Sequence, residues 1–184
     1  MTTLEKKDNK YHQLSTASFT RLMADYKSVV YEKYVLKTNS LADTIDTPSV
    51  SSILVVEDNI DQWFLTRWAL LQRFPQFQIQ WLANDSDVVP YLDACLQQKE
   101  SLPHVILADL YLPSVQQGLN VLQVLKSHPV YRPIPIITLS WSNSVEDMVQ
   151  AFNHLADGYM TKPTIYQDWL NALNLLDKYL IREL

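Results

Sequence analysis

The chain has one cysteine, Cys95, in 184 residues, so no internal disulfide can form. A reducing, cytoplasmic setting fits that usage. Glycine is nearly missing too, with only Gly118 and Gly158. That excludes a G-x-G-x-x-G turn and a phosphate-cradling P-loop, which need several glycines close together. Positive charge is in deficit: 15 Lys and Arg against 20 Asp and Glu give a net charge of −5. A nucleic-acid-binding surface needs clustered Lys and Arg, so this balance argues against one. No apolar run approaches the ~18 residues of a membrane span. The opening stretch, MTTLEKKDNK, lacks the apolar core of a signal peptide. H-E-x-x-H, G-x-S-x-G and C-x-x-C do not occur, and His12, His104, His128 and His154 show no ligand spacing. What is present is a 47% hydrophobic composition, enough for a proper core. The length suits one domain, or one domain with an appendage.

Residues 1–50 differ from the rest. Leu22, Met23, Tyr26, Val29, Val30 and Tyr34 recur at helical spacing, so residues 16–37 are expected to form one amphipathic helix. The following TNSLADTIDTPSVSS is rich in Thr, Ser and Asp and reads as a linker. From Ser51 onward, short apolar runs alternate with helical periodicity. Strands are expected near 53–56, 77–82, 105–107, 134–139 and 159–161. Helices are expected near 60–74, 87–98, 119–126, 144–155 and 165–184. Pro90 falls early in its helix, where a missing N–H is tolerated. Ser144 and Asp147 form a plausible N-terminal capping pair. Strands that are apolar throughout, alternating with helices, imply an α/β fold with a parallel sheet covered on both faces.

In such folds the ligand site lies at the carboxyl ends of the strands. The polar residues there are Glu57 and Asp58 after the first strand, Asp109 after the third, Ser140 at the end of the fourth, and Lys162, followed by Pro163, after the fifth. The three carboxylates suit a hard divalent cation such as Mg²⁺. Asp can also act as a nucleophile toward phosphorus. Phosphoryl transfer asks little more of a protein than a metal, cationic and hydroxyl donors, and in-line positioning.

The stretches ILVVEDN, HVILADLYLP, PIITLS and GYMTKP, in that order, resemble the receiver domain of two-component response regulators. The resemblance covers residues 51–184 and leaves residues 1–50 as a helical extension with its linker. It implies a flavodoxin-like (βα)5 sheet of order 2-1-3-4-5. It also implies a single-domain response regulator of the two-component type. Asp109 would be the phosphoacceptor, served by a histidine kinase or phosphotransfer protein. Asp58 and Asp109 would bind Mg²⁺, Glu57 would act mainly through a metal-bound water, and the Tyr111 backbone carbonyl would complete the ligands. Lys162 would pair with Asp109 and then with the phosphoryl oxygens. Ser140 would bond the phosphoryl group, and Tyr159 matches the switch aromatic that turns inward as the hydroxyl moves. A cis peptide before Pro163 is also implied.

Simpler roles compete with these. Glu57, Asp58, Asp109 and Ser140 can be read as caps of the helices that follow them, and Lys162 as a surface lysine. The five tryptophans read as core or interface residues. The chain also departs from the family pattern. Gly118 stands one position later than usual, so the loop after Asp109 is expected to bulge. Tyr111 and Trp141 are bulky where the pattern is commonly smaller, and both are candidates to gate the pocket. Excluding an in-line water would slow phosphate loss; alternatively Trp141 would impede phosphorylation itself. No DNA-binding module follows the receiver region, so output is expected through protein contacts: a downstream protein or a homodimer, with no nucleic acid and no membrane. The alternatives are a pseudo-receiver scaffold without phosphotransfer and an enzyme turning over an aspartyl phosphate.

Overall fold

The computed structural model describes residues 51–180, so the expected helix at 16–37 and residues 38–50 of its linker lie outside the described residues, while Ser52, read as the linker's end, opens the first strand. Strand and helix alternate as β1 (Ser52–Val56), α1 (Ile60–Arg73), β2 (Gln78–Leu82), α2 (Val88–Gln97), β3 (Val105–Asp109), α3 (Val115–Ser127), β4 (Ile136–Ser140), α4 (Val145–Asn153), β5 (Gly158–Thr161) and α5 (Tyr166–Ala172). A 3₁₀ turn, Asp85–Asp87, leads into α2. The strands form one parallel sheet in the order β2-β1-β3-β4-β5.

Composition explains which strand takes which place. SILVV, VILAD and IITLS, in β1, β3 and β4, are buried at every position and occupy the centre. An apolar strand of that kind is stable only with both sheet faces covered. β2 (QIQWL) and β5 (GYMT) carry exposed or half-exposed positions and form the edges. One face of the sheet is filled by Leu54, Val56, Ile106 and Ala108 packed with Leu92, Leu119, Leu122 and Tyr131. Tyr131 is fully buried, and its hydroxyl donates to Asp93.

The helices begin where short polar side chains can satisfy the first free amides. Asn59 Oδ1 accepts from the amides of Asp61 and Gln62, and Ser114 Oγ from that of Gln117. Ser144 Oγ accepts from the Asp147 amide, the capping pair expected from sequence. Four expectations are corrected. Helix α3 begins at Val115, ahead of the expected 119, because Ser114 caps it. Gly118 therefore lies inside this helix, not in a bulged loop. It is glycine because α3 presses on the chain leaving β3: a Cβ there would stand 2.1 Å from the Leu110 carbonyl oxygen. The C-terminal helix is not continuous; α5 passes into a 3₁₀ segment, Leu173–Leu176, and then α6 (Asp177–Leu180). Such tightening is common near helix ends, and Trp169, Leu173, Leu176 and Leu180 stay buried through it. Finally, the described residues contain no cis peptide bond, so the bond before Pro163 is trans, the lower-energy isomer even before proline.

Candidate functional site

The backbone pairing runs one residue past the ends of β1, β3 and β5 and so fixes where the polar side chains emerge. The Glu57 amide donates to the Leu82 carbonyl at 3.0 Å, the Leu110 amide to Leu139 at 2.8 Å, and the Lys162 amide to Ser140 at 2.6 Å. Glu57, Asp109, Ser140 and Lys162 are thereby gathered at the carboxyl edge of the sheet, and all four are buried.

A buried ammonium is costly unless it is paired. Lys162 Nζ donates to Glu57 Oε2 at 2.6 Å and to Asp109 Oδ2 at 2.9 Å. The surface-lysine reading therefore fails, since Lys162 is 2% exposed. The capping readings fail as well, because Asn59, Ser114 and Ser144 cap the helices after β1, β3 and β4. The Asp109 Oδ1 oxygen accepts from the Tyr111 amide at 3.1 Å, and Glu57 Oε1 from the Asn59 amide at 3.3 Å. Ser140 Oγ accepts from the Ser142 amide at 3.1 Å.

Asp58 is the exposed member of the acidic group. Glu57, Asp58 and Asp109 can each offer a carboxylate oxygen within 4.8 Å of the others. Their all-oxygen chemistry fits a hard divalent cation. Three carboxylates against one lysine leave surplus negative charge at a largely buried place. Burial accordingly raises the Glu57 carboxyl from 4.5 to about 7; Lys162 pulls the other way, and Asp109 adds to the rise. A bound divalent cation would offset that surplus.

Aromatic side chains stand around the acids. Trp141 is 47% exposed, and its ring lies 5.8 Å from Lys162 Nζ. Tyr111 is 41% exposed, and its hydroxyl donates to Asp147 Oδ2 at 3.1 Å. Burial and the Asp147 hydrogen bond raise the Tyr111 phenol above its usual range. Tyr159 is half-buried, and its hydroxyl donates to the Ser142 carbonyl at 2.8 Å. Burial raises the Tyr159 phenol too, partly offset by hydrogen bonding with Ser140 and Ser142.

The response regulator receiver domain model matches residues 53–174. The chain belongs to that family. The receiver is 29% identical over 137 residues to the probable methanogenesis regulatory protein FilR2 of Methanothrix harundinacea, covering 74% of this chain and 88% of that one. It is 33% identical over 112 residues to the virulence transcriptional regulatory protein PhoP of Shigella flexneri, covering 60% of this chain and spanning 45% of PhoP. Among solved structures, the phosphorylated cyanobacterial phytochrome response regulator RcpA matches with a TM-score of 0.61 and 25% identity, over 73% of this chain and 96% of that one.

Sequence reasoning about this receiver missed two site neighbours. Asp147 had a capping role, which it keeps through its backbone amide, but its side chain turns to Tyr111. Nothing local announces a contact across 36 positions. Trp81, on the edge strand β2, donates its indole N–H to the Glu57 carbonyl at 2.8 Å and stacks on Trp63 at 5.3 Å. Of the tryptophans, Trp63, Trp68 and Trp169 are buried, as a core reading expects. Among the described residues no helix is long and apolar enough to cross a membrane.

Proposed function

We propose that Asp109 accepts a phosphoryl group from a phosphohistidine of a histidine kinase or phosphotransfer protein, and that the receiver signals onward through protein contacts. The observation that carries this reading is the placement of the Asp109 carboxylate. It is buried between Lys162 and the Tyr111 amide, with the carboxylates of Glu57 and Asp58 beside it. An Asp109 oxygen forms the new bond to phosphorus. The phosphorus–nitrogen bond of the donor imidazole breaks, and its electron pair stays on the nitrogen, which is then protonated.

Lys162, which donates to Glu57 and Asp109, would give its third N–H to a phosphoryl oxygen, and Ser140 would donate its hydroxyl to another. Asp58, Asp109, the Tyr111 carbonyl and, through water, Glu57 would hold Mg²⁺, which supplies positive charge to the transferring oxygens. If Ser140 moves toward the phosphoryl group, Tyr159 is the aromatic positioned to follow, since its hydroxyl bonds the next loop at Ser142. Tyr111 and Trp141 gate the pocket, keeping an attacking water from the acyl phosphate. Residues 51–184 form the receiver, and residues 1–50 are a separate extension.

Incubation of the protein with acetyl phosphate and Mg²⁺, followed by intact-mass measurement, tests this. A stable adduct of about 80 Da, the mass of one phosphoryl group, that is lost in Asp109→Asn is the expected result. No adduct favours a scaffold that binds partners without phosphotransfer. Continuous phosphate release with turnover favours an enzyme.

A further inference from the structure

The Tyr111 hydroxyl crosses from the segment after β3 to the first turn of α4, where Asp147 accepts it at 3.1 Å. These two segments follow neighbouring strands, since Asp109 pairs in register with Leu139 and Ser140 ends β4. The hydrogen bond therefore links the segments that leave the acceptor carboxylate and the serine hydroxyl. Both of its ends are anchored. The Tyr111 amide is held by Asp109 Oδ1, and the Asp147 amide by Ser144 Oγ. A side-chain bond between two fixed backbone points restrains both segments, because neither end can move without breaking it.

We propose that Asp147 is a positioning residue: it latches Tyr111 across the mouth of the acceptor pocket and slows the traffic of small molecules to and from Asp109. This rests on Asp109 being the phosphoacceptor. With the latch closed, a small phosphodonor reaches the carboxylate slowly, and so does the water that would break the oxygen–phosphorus bond of the product.

The experiment measures the rate of phosphorylation by acetyl phosphate and the rate of phosphate loss, both with Mg²⁺, by intact mass. The proteins are wild type, Tyr111→Phe, Asp147→Ala, Asp147→Asn and the double variant Tyr111→Phe/Asp147→Ala. Tyr111→Phe keeps the ring and removes only the donor. The expected result is that Tyr111→Phe and Asp147→Ala each speed both rates by roughly fivefold, the rate equivalent of one net side-chain hydrogen bond. Asp147→Asn keeps an acceptor and stays near the wild-type rates. The double variant is no faster than either single one, as required of two residues acting through one shared contact. Adduct formed and lost at wild-type rates in every variant overturns the latch and leaves the receiver reading standing. Additive acceleration in the double variant also overturns it. No adduct in any protein, wild type included, overturns the phosphoacceptor reading and the latch with it.

Discussion

Lys162 Nζ lies 2.9 Å from Asp109 Oδ2, in a contact that closes 53 positions of chain and shields both groups from solvent. The same ammonium holds Glu57 at 2.6 Å, so one cation serves two buried carboxylates from different strands. Breaking a buried ion pair by removing one partner leaves an uncompensated charge, and this costs more than the pair itself contributes.

Lys162→Met follows directly. Without the ammonium, Glu57 and Asp109 face each other with no counter-charge in the metal-free protein. Urea unfolding at about pH 8 in chelator is expected to show a loss of about 3 kcal/mol. Saturating Mg²⁺ should recover part of it. A variant as stable as wild type in chelator would mean that the pair carries no such load.

Glu57 makes the metal-free protein sensitive to pH. Its carboxyl is raised from 4.5 to about 7, chiefly by burial. Between those values the folded state holds a proton that the unfolded chain has released. The stability tied to Glu57 is therefore full below about 4.5 and is lost as pH rises through about 7. Melting temperatures of chelator-treated wild type should fall relative to Glu57→Gln across that range. Saturating Mg²⁺ should reduce the fall, since a bound cation favours the ionised carboxylate. Parallel curves for the two proteins would remove the raised carboxyl.

Gly118→Ala tests the close approach of α3 to the chain leaving β3. The new Cβ would stand 2.1 Å from the Leu110 carbonyl oxygen and 2.9 Å from that of Asp109. Both obstacles are backbone, so the helix must shift. Overpacking of this kind costs about 1–3 kcal/mol, and urea unfolding measures it. The shift also displaces the residues flanking Asp109, so acetyl phosphate labelling should slow in the same variant.

Trp141→Ala separates gating from stability. The ring is 47% exposed and sits 5.8 Å from Lys162 Nζ, so its loss should cost no more than about 1 kcal/mol. Phosphate loss from Asp109 should quicken several-fold if the ring excludes water. Faster labelling with unchanged loss would assign Trp141 to hindering phosphorylation instead.

The sheet was legible because its signal is local. Short, mainly apolar runs such as Ile53–Val56 or Ile136–Leu139, each followed by a polar residue, read as buried strands that deliver a side chain to their ends. The acids and the lysine were legible for the same reason: each sits next to its strand in sequence. The start of α3 was not, because LYLPSVQQG has loop composition and only the cap at Ser114 shows where the helix begins. Gly118 read as a loop residue until the Leu110 carbonyl beside it was placed.

The sequence by itself determined the order of elements, the end of the sheet where polar residues gather, and which residues stand there: Glu57, Asp58, Asp109, Ser140 and Lys162. These follow from period and adjacency, which a chain carries in one dimension. Only the tertiary structure decided that Lys162, expected beside Asp109, is buried and holds Glu57 as well, and that Asp147 holds Tyr111. Burial decides whether a charge must find a partner, and distance decides which one. Both arise only when strands far apart in sequence are laid side by side.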